Sequence, residues 1–301
     1  MTRDRAGAGT VLGQQLARPQ PAVTPAGAMA DKAAAENFPV ALRMLPRRHR
    51  EHLMAVYAFA RTVDDIGDEA PPDQRLGLLA GLHEDLDRLY ADPPGSLPAH
   101  PAVRGLAGVV SDCAIPMQPF RDLIAANEQD QVVSRYQTFD DLLGYCKLSA
   151  NPVGQIVLHV FGCYTPDRAA LSDAVCSALQ VVEHLQDVAE DFRAGRVYLP
   201  LDDLHGHGCS EQDLAGTASS PQLRRLIAAE ADRAAGLLAA GAPVVGQLRG
   251  AARVAVAGYL AGGRAALAAL RRAGYDVLAV SPRPSKGRTA AAFASALVRG
   301  R

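Results

Sequence analysis

The sequence predicts an all-α protein, and three observations lead to that expectation. Pro, Gly and Ser/Thr punctuation divides most of the chain into segments of helical length. Strand signals, meaning β-branched alternation closed by Asn-Gly turns, do not occur. Hydrophobic residues make up 49% of 301, with no repeat of fixed period and no linker in the middle, so one core is expected rather than an array. The reading is a single helical domain over residues 31–280. It lies between an Ala/Gly/Pro/Gln-rich tail at 1–30 and a second loose end at 281–301, which carries Pro282, Arg283, Pro284 and Lys286.

Each helix has its own warrant. Pro46 starts one that runs through Glu69 and stops at Pro71-Pro72. A second covers about Gln74 to Tyr90 and ends at Asp92-Pro93-Pro94-Gly95. Thr138 with Asp141 forms a capping-box pattern ahead of a segment ending near Asn151-Pro152. Thr165-Pro166 opens a long helix expected to reach Gly195. Ser220-Pro221 opens another, and Pro243 begins one ending near Gly274.

Composition excludes several classes. With 31 Lys+Arg against 32 Asp+Glu the net charge is −1, which argues against a general nucleic-acid binder. The five cysteines (Cys113, Cys146, Cys163, Cys176 and Cys209) are odd in number and contain no CxxC pair. Reduced, mostly buried thiols in a cytoplasmic protein are therefore expected, not a disulfide framework or zinc cluster. Met1 to Ala30 lacks the apolar run of a signal peptide. Leu148 to Pro166 is free of Asp, Glu, Lys and Arg, but it contains Asn151, Pro152, Gln155 and His159 and reads as a buried helix rather than a membrane span.

Two acidic clusters carry the chemistry. Asp64 and Asp68 are four apart, so on a helix they share one face about 6 Å apart along the axis. Asp187 and Asp191 repeat that spacing, with Glu183 one turn back and Gln180 near the same face. Like charges at that spacing destabilise a helix by a few tenths of a kcal/mol, and a bound cation would offset the repulsion. Oxygen-only donors suit a hard ion, Mg²⁺ above all, which takes one or two carboxylates and fills its shell with water and phosphate oxygens. One such pair is ordinarily a solvated face, whereas two with identical spacing suggest a pair of helices clamping a diphosphate. Arg61, Arg193 and Arg196 lie nearby, either to pair with the carboxylates or to meet phosphate oxygens.

The motifs resemble those of the squalene and phytoene synthase family. Tyr57 to Asp68 is similar to its first aspartate-rich motif. Gln180 to Asp191, continued by Gly195-Arg196-Val197-Tyr198-Leu199-Pro200, is similar to the second. Tyr145-Cys146 and Asn151-Pro152-Val153-Gly154 resemble the signature between them, and the likeness spans roughly residues 36–285. Glu36–Val40, Ser149–Gly154 and Glu183–Val188 further resemble the hydroxysqualene synthase branch of the bacterial hopanoid-type squalene pathway.

This resemblance implies an isoprenoid-synthase-type helical bundle with a central apolar cavity. It places Mg²⁺ on Asp64, Asp68, Asp187 and Asp191, and substrate or diphosphate on Arg61, Gln180 and Arg196. Tyr57, Tyr145 and Tyr198 would line the pocket, with Asn151 and Glu183 as polar groups near it. The branch ionises presqualene diphosphate and lets water capture the cation, giving hydroxysqualene. Presqualene diphosphate synthase would supply the substrate and a flavin-dependent reductase would consume the product.

Two departures stand out: Glu183 occupies a position where Asn is common, and a cavity Tyr of related condensing enzymes falls near Gly263. No NADPH is expected, because no GxGxxG follows a strand. With no Trp in the chain, Phe38, Tyr57, Tyr145, Phe161 and Tyr198 are the aromatic candidates for stabilising a carbocation. A water-insoluble product implies peripheral contact with the inner face of a membrane. The rival enzyme is a head-to-head prenyl transferase making presqualene diphosphate, squalene or phytoene. A rival of another class is a non-catalytic acidic helical binding protein.

Overall fold

The computed structural model of the chain describes residues 45–91, 96–283 and 293. The expected positions Glu36–Val40, including Phe38, and the tail at 1–30 lie outside these residues. Among the described residues the secondary structure is helical, apart from one isolated bridge between Arg135 and Val197.

The first half of the chain forms one layer. Helix α1 (Arg47–Glu69) packs against α2 (Arg75–Tyr90), α3 (Pro101–Gly105), α4 (Ala107–Cys113) and α5 (Gln118–Gln129). Its buried stripe Leu53, Val56, Phe59, Val63, Ile66 follows the 3/4 spacing that places one helix face in a core. Phe59 meets Phe120 of α5 edge-on, with ring centroids 5.4 Å apart.

The second half is organised around α8 (Pro166–Gln186). It contacts α6 (Phe139–Ser149), α7 (Asn151–Val160), α11 (Pro221–Gly241), α12 (Val244–Gln247) and α13 (Gly250–Arg272). Thr165 caps α8 by accepting from the Arg168 backbone N–H at 3.2 Å, and Pro166 sits at its first position, where no N–H is missed. The predicted capping box at Thr138 and Asp141 is formed.

Two expected helices are interrupted. The segment from Pro166 does not run to Gly195, because Asp187 leaves helical geometry at φ −110°, ψ 14° and the chain restarts as the short α9 (Val188–Arg193). The segment from Pro243 breaks at Leu248, which is extended, and restarts at Gly250 with φ +54°. The loose end predicted from Ser281 begins as packed chain. Ser281 Oγ donates to the Gln186 carbonyl at 3.3 Å, Gln186 donates to the Pro282 carbonyl, and Arg283 pairs with Asp187 at 3.1 Å.

The Asn151–Gly154 signature has a packing role. Asn151 is buried, and its Oδ1 accepts from Ser177 Oγ at 2.9 Å, tying α7 to α8. A Cβ on Gly154 would lie 2.5 Å from Ser172 Oγ and 2.6 Å from Cys176 Sγ, so the absent side chain is what allows the two helices to approach. Gly154→Ala is therefore expected to cost about 1–3 kcal/mol by overpacking. Gly144→Ala on α6, which meets nothing within 4 Å, should be neutral or stabilising. Urea denaturation of both variants checks the contrast; equal stabilities would refute the close-approach account.

Candidate active site

The two halves meet at a cavity of about 320 Å³. Asp64 and Asp68 enter it from α1, and Gln180, Glu183, His184 and Asp187 from α8. Asp191 enters from α9, and Leu123, Ala126, Asn127 and Asp130 from the end of α5. Tyr145 and Ser149 of α6 complete the lining together with Arg196 and Tyr198. The carboxylate pairs thus belong to different halves of the molecule and face one space. Although α8 breaks at Asp187, the Asp191 N–H still donates to the Asp187 carbonyl at 2.8 Å, so the pair keeps its one-turn spacing.

The segment carrying Arg196 and Tyr198 is held by backbone pairing. Gly195 adopts φ +84°, a left-handed turn that suits glycine, and brings the chain out of α9. The Val197 N–H then donates to the Ser134 carbonyl at 2.9 Å, and the Leu201 N–H to the Tyr136 carbonyl at 3.0 Å. Arg135 donates to the Gly195 carbonyl at 2.6 Å and pairs with Glu211 at 2.8 Å.

The electrostatics follow from bringing acids together in a partly buried space. Asp64 is exposed to the cavity by surface area, while protein atoms crowd the surroundings of its carboxylate. Burial pushes its pKa up to about 6, against a hydrogen bond from Asn127 Nδ2 at 3.2 Å. Gly67 makes that neighbour possible, since a Cβ there would collide with Asn127 Oδ1. Burial also raises Asp187, with Arg283 opposing the shift. Arg196 pairs with Asp68 at 2.9 Å across the two halves. Burial works against its charge, but Tyr198, Asp68 and Asp130 outweigh that and hold it protonated.

Aromatic rings form one wall. Tyr198 stacks on His184 at 3.7 Å with 14° between planes, and Tyr145 lies 5.6 Å from Tyr198. Both phenols donate to Asp130, Tyr145 at 2.7 Å and Tyr198 at 3.3 Å. Burial raises the Asp130 pKa while these bonds and Arg196 lower it. His184 meets Gln180 at 3.2 Å and lies 3.8 Å from Asp191.

Three expected site residues sit elsewhere. Arg61 is paired with Asp65 at 2.6 Å and Glu69 at 3.3 Å, along its own helix, and does not line this cavity. Tyr57 is half-buried on α1 and is likewise outside the lining. Asn151 serves the α7–α8 contact described above. Among the aromatic candidates, Tyr145 and Tyr198 reach the cavity, whereas Phe161 stacks on His49 at 4.9 Å. Gly263 packs between helices, where a Cβ would lie 2.8 Å from Leu179 Cδ2 and 3.1 Å from Leu238 Cδ2. Asn127, Asp130, Ser149 and Arg283 were not anticipated. Leu123, Ala126, Asn127 and Asp130 follow i, i+3, i+4, i+7 spacing, so two polar residues at the end of an apolar stripe were the available signal.

A model of the squalene/phytoene synthase family matches residues 31–289. The chain belongs to this family. It is 38% identical to a hydroxysqualene synthase of Rhodopseudomonas palustris over 215 residues, covering 71% of this chain and 72% of that one. A phytoene synthase of Mycobacterium tuberculosis is 32% identical over 208 residues, covering 68% and 67%. The crystal structure of a squalene synthase from Alicyclobacillus acidocaldarius superposes with a TM-score of 0.75 at 39% identity, covering 83% of this chain and 94% of that chain. A dehydrosqualene synthase in complex with ligand gives 0.79 at 25% identity, covering 90% and 94%. The helical architecture is thus of the isoprenoid-synthase type shared by these neighbours.

The donor set bears on whether Mg²⁺ fits this cavity. Among the described residues no three His, Cys, Asp or Glu side chains converge tightly enough to cage a metal alone. Paired carboxylates facing a cavity with room for phosphate oxygens and water are nevertheless what Mg²⁺ accepts. Asp64 and Asp68 also stand close enough to raise the Asp64 pKa by their mutual repulsion, in addition to burial. The residues therefore fit an ion shared with substrate.

That shift has a thermodynamic consequence. The folded-state pKa of about 6 exceeds the ordinary 3.8, so this group costs the metal-free fold stability as pH rises between those values. In EDTA, Asp64→Asn is expected to melt above the parent protein at pH 7 and alongside it at pH 4. Identical melting at both values by circular dichroism would contradict the desolvated carboxylate.

Proposed function

We propose that this chain is a hydroxysqualene synthase. In this reading it ionises presqualene diphosphate with Mg²⁺ and lets water capture the cation, giving hydroxysqualene and diphosphate. The observation that carries it is the meeting of two carboxylate pairs, from opposite halves of the fold, across one cavity that also holds Arg196 and an aromatic wall. The identities of 38% and 36% to hydroxysqualene synthases of Rhodopseudomonas palustris and Sinorhizobium fredii support the branch.

The chain's own groups divide the work. Asp64 and Asp68 on one side, and Asp187 and Asp191 on the other, would hold Mg²⁺, which supplies positive charge to the departing diphosphate. Arg196, paired with Asp68 here, would be available to phosphate oxygens with that carboxylate holding the metal. Gln180 and Glu183 lie on the α8 face between the metal end and the aromatic wall and would border the substrate. Charge stabilisation where charge develops is the main source of rate, so no side-chain nucleophile is required. Tyr145, Tyr198 and His184 form the aromatic wall beside which the carbocation would be left. Arg61, Tyr57 and Asn151 support this site at a distance, through α1 and the α7–α8 contact.

The pathway context is part of the proposal. Presqualene diphosphate would come from a presqualene diphosphate synthase, and a flavin-dependent enzyme would reduce the product. No described helix is long and apolar enough to cross a membrane. Cytoplasmic placement with peripheral contact at the inner membrane face would suit a hydrocarbon product.

The phytoene synthase relatives at 32% identity favour a second reading, a head-to-head condensing enzyme. Incubation with presqualene diphosphate and Mg²⁺, without NADPH, separates the two, and hydroxysqualene is the expected product. Squalene formed only with NADPH would point to a reductive enzyme. Presqualene diphosphate or a C40 product made from simple prenyl diphosphates would establish the condensing one. Asp64→Ala and Asp187→Ala are each expected to lower kcat by about 10²-fold or more, and chelation of Mg²⁺ to abolish turnover reversibly. Unchanged turnover in either variant would remove its carboxylate from the site.

A further inference from the structure

Asp130 has no part in the metal or diphosphate roles assigned above, yet it sits in the same cavity with two phenols bound to it. The donor inventory gives this arrangement a direction. A phenol has one proton to donate, and a carboxylate can only accept. Tyr145 gives its proton to Asp130 Oδ2 at 2.7 Å, and Tyr198 gives its proton to Oδ1 at 3.3 Å. What each phenol oxygen has left for the cavity is acceptor capacity alone. A water molecule bound there must donate to the phenol, so its own lone pair is left free to face the substrate. That is the polarity a nucleophile needs when its target is a carbocation.

The surroundings keep this orientation fixed. The Tyr198 ring is held between His184 at 3.7 Å and Tyr136 at 5.7 Å, and both contacts are stacked. Gln129 Nε2 donates to the Tyr136 hydroxyl at 3.3 Å, next to Asp130 in the chain. Tyr145 is anchored on α6, where Ser149 Oγ donates to its carbonyl at 3.2 Å. The phenols therefore come from separate segments and converge on one carboxylate.

We propose that Asp130 is a positioning residue for the capture step: by taking the protons of Tyr145 and Tyr198 it makes their oxygens an acceptor pair that orients the attacking water. The inference rests on the water-capture reading above. Diphosphate leaves with the electron pair of its C–O bond. The water lone pair then forms the new C–O bond, and one water proton passes to the Tyr145 oxygen as Tyr145 passes its own to Asp130. The products are the alcohol, free diphosphate and a protonated carboxyl, which returns its proton to solvent after release.

Asp130→Asn tests this with a change of hydrogen-bond direction at nearly constant shape. The amide nitrogen donates to one phenol, and that phenol's O–H turns towards the cavity. Full-length enzyme with Mg²⁺ and presqualene diphosphate is assayed for diphosphate release and, separately, for alcohol and alkene products. The expected result is diphosphate release close to the parent rate, with alcohol formation lowered by about 10²-fold and alkene from direct proton loss in its place. A merely structural role would lower both readouts together. Tyrosine vibrational spectra of parent and variant, without substrate, provide a second readout: the ring doublet that distinguishes donating from accepting phenols should shift.

Should the Asn variant fold poorly, Tyr145→Phe, which removes one acceptor and leaves Asp130 in place, is expected to lower the ratio of alcohol to alkene among the products, whatever its overall rate. A variant that releases diphosphate and makes the parental alcohol at the parental rate overturns the proposal alone. Parent enzyme that makes no alcohol overturns both this proposal and the functional reading beneath it.

Discussion

The site depends on one constraint: four carboxylates from two halves of the molecule must face a single partly buried space. Like charges in such a space repel and are poorly solvated, so the fold has to supply compensation. It does so with contacts that each reach across an interface. Arg196 meets Asp68, Asn127 meets Asp64, and Arg283 meets Asp187. None of these pairs is local in sequence. Each also sits where a cation or phosphate would compete for the same oxygen, so the resting contacts and the proposed chemistry draw on the same groups.

The helices around this space are held by close packing. α8 runs from the Thr165 cap to Asp187 and is buried against several neighbours, so its cavity face is set by packing and not by the polar groups it carries. The close approach at Gly154 and the buried Asn151–Ser177 bond fix α7 against it. The break at Asp187 then lets the chain turn, through the left-handed Gly195, into the segment that returns Arg196 and Tyr198 to the cavity. A motif that reads as one functional unit, from Gln180 to Pro200, is in space a strut, a turn and a return.

The same reasoning explains why parts of the sequence reading moved. Arg61 lies one turn before Asp64, and sequence distance suggested a shared role. On the helix it reaches Asp65 and Glu69 instead, which lie on its own side. Tyr57 and Asn151 occupy motif positions outside the cavity lining, and Asn151 ties two helices together. For Asp130 the local signal is slight, a polar residue closing an apolar stripe. Its significance comes from two tyrosines that are 15 and 68 residues away in the chain.

By itself the sequence determined the helical class, the starts of six helices, the spacing of both carboxylate pairs, and a family membership that the matched residues 31–289 bear out. These are properties of near neighbours: caps act over three or four residues, and a shared helix face repeats every turn. The tertiary structure decided which faces meet. It brought Asn127 and Asp130 into the site, left Arg61, Tyr57 and Asn151 outside the cavity lining, and split the second acidic helix at Asp187. The physical reason is that the rotation of each helix about its axis is set by contacts distant in sequence, which no local pattern records.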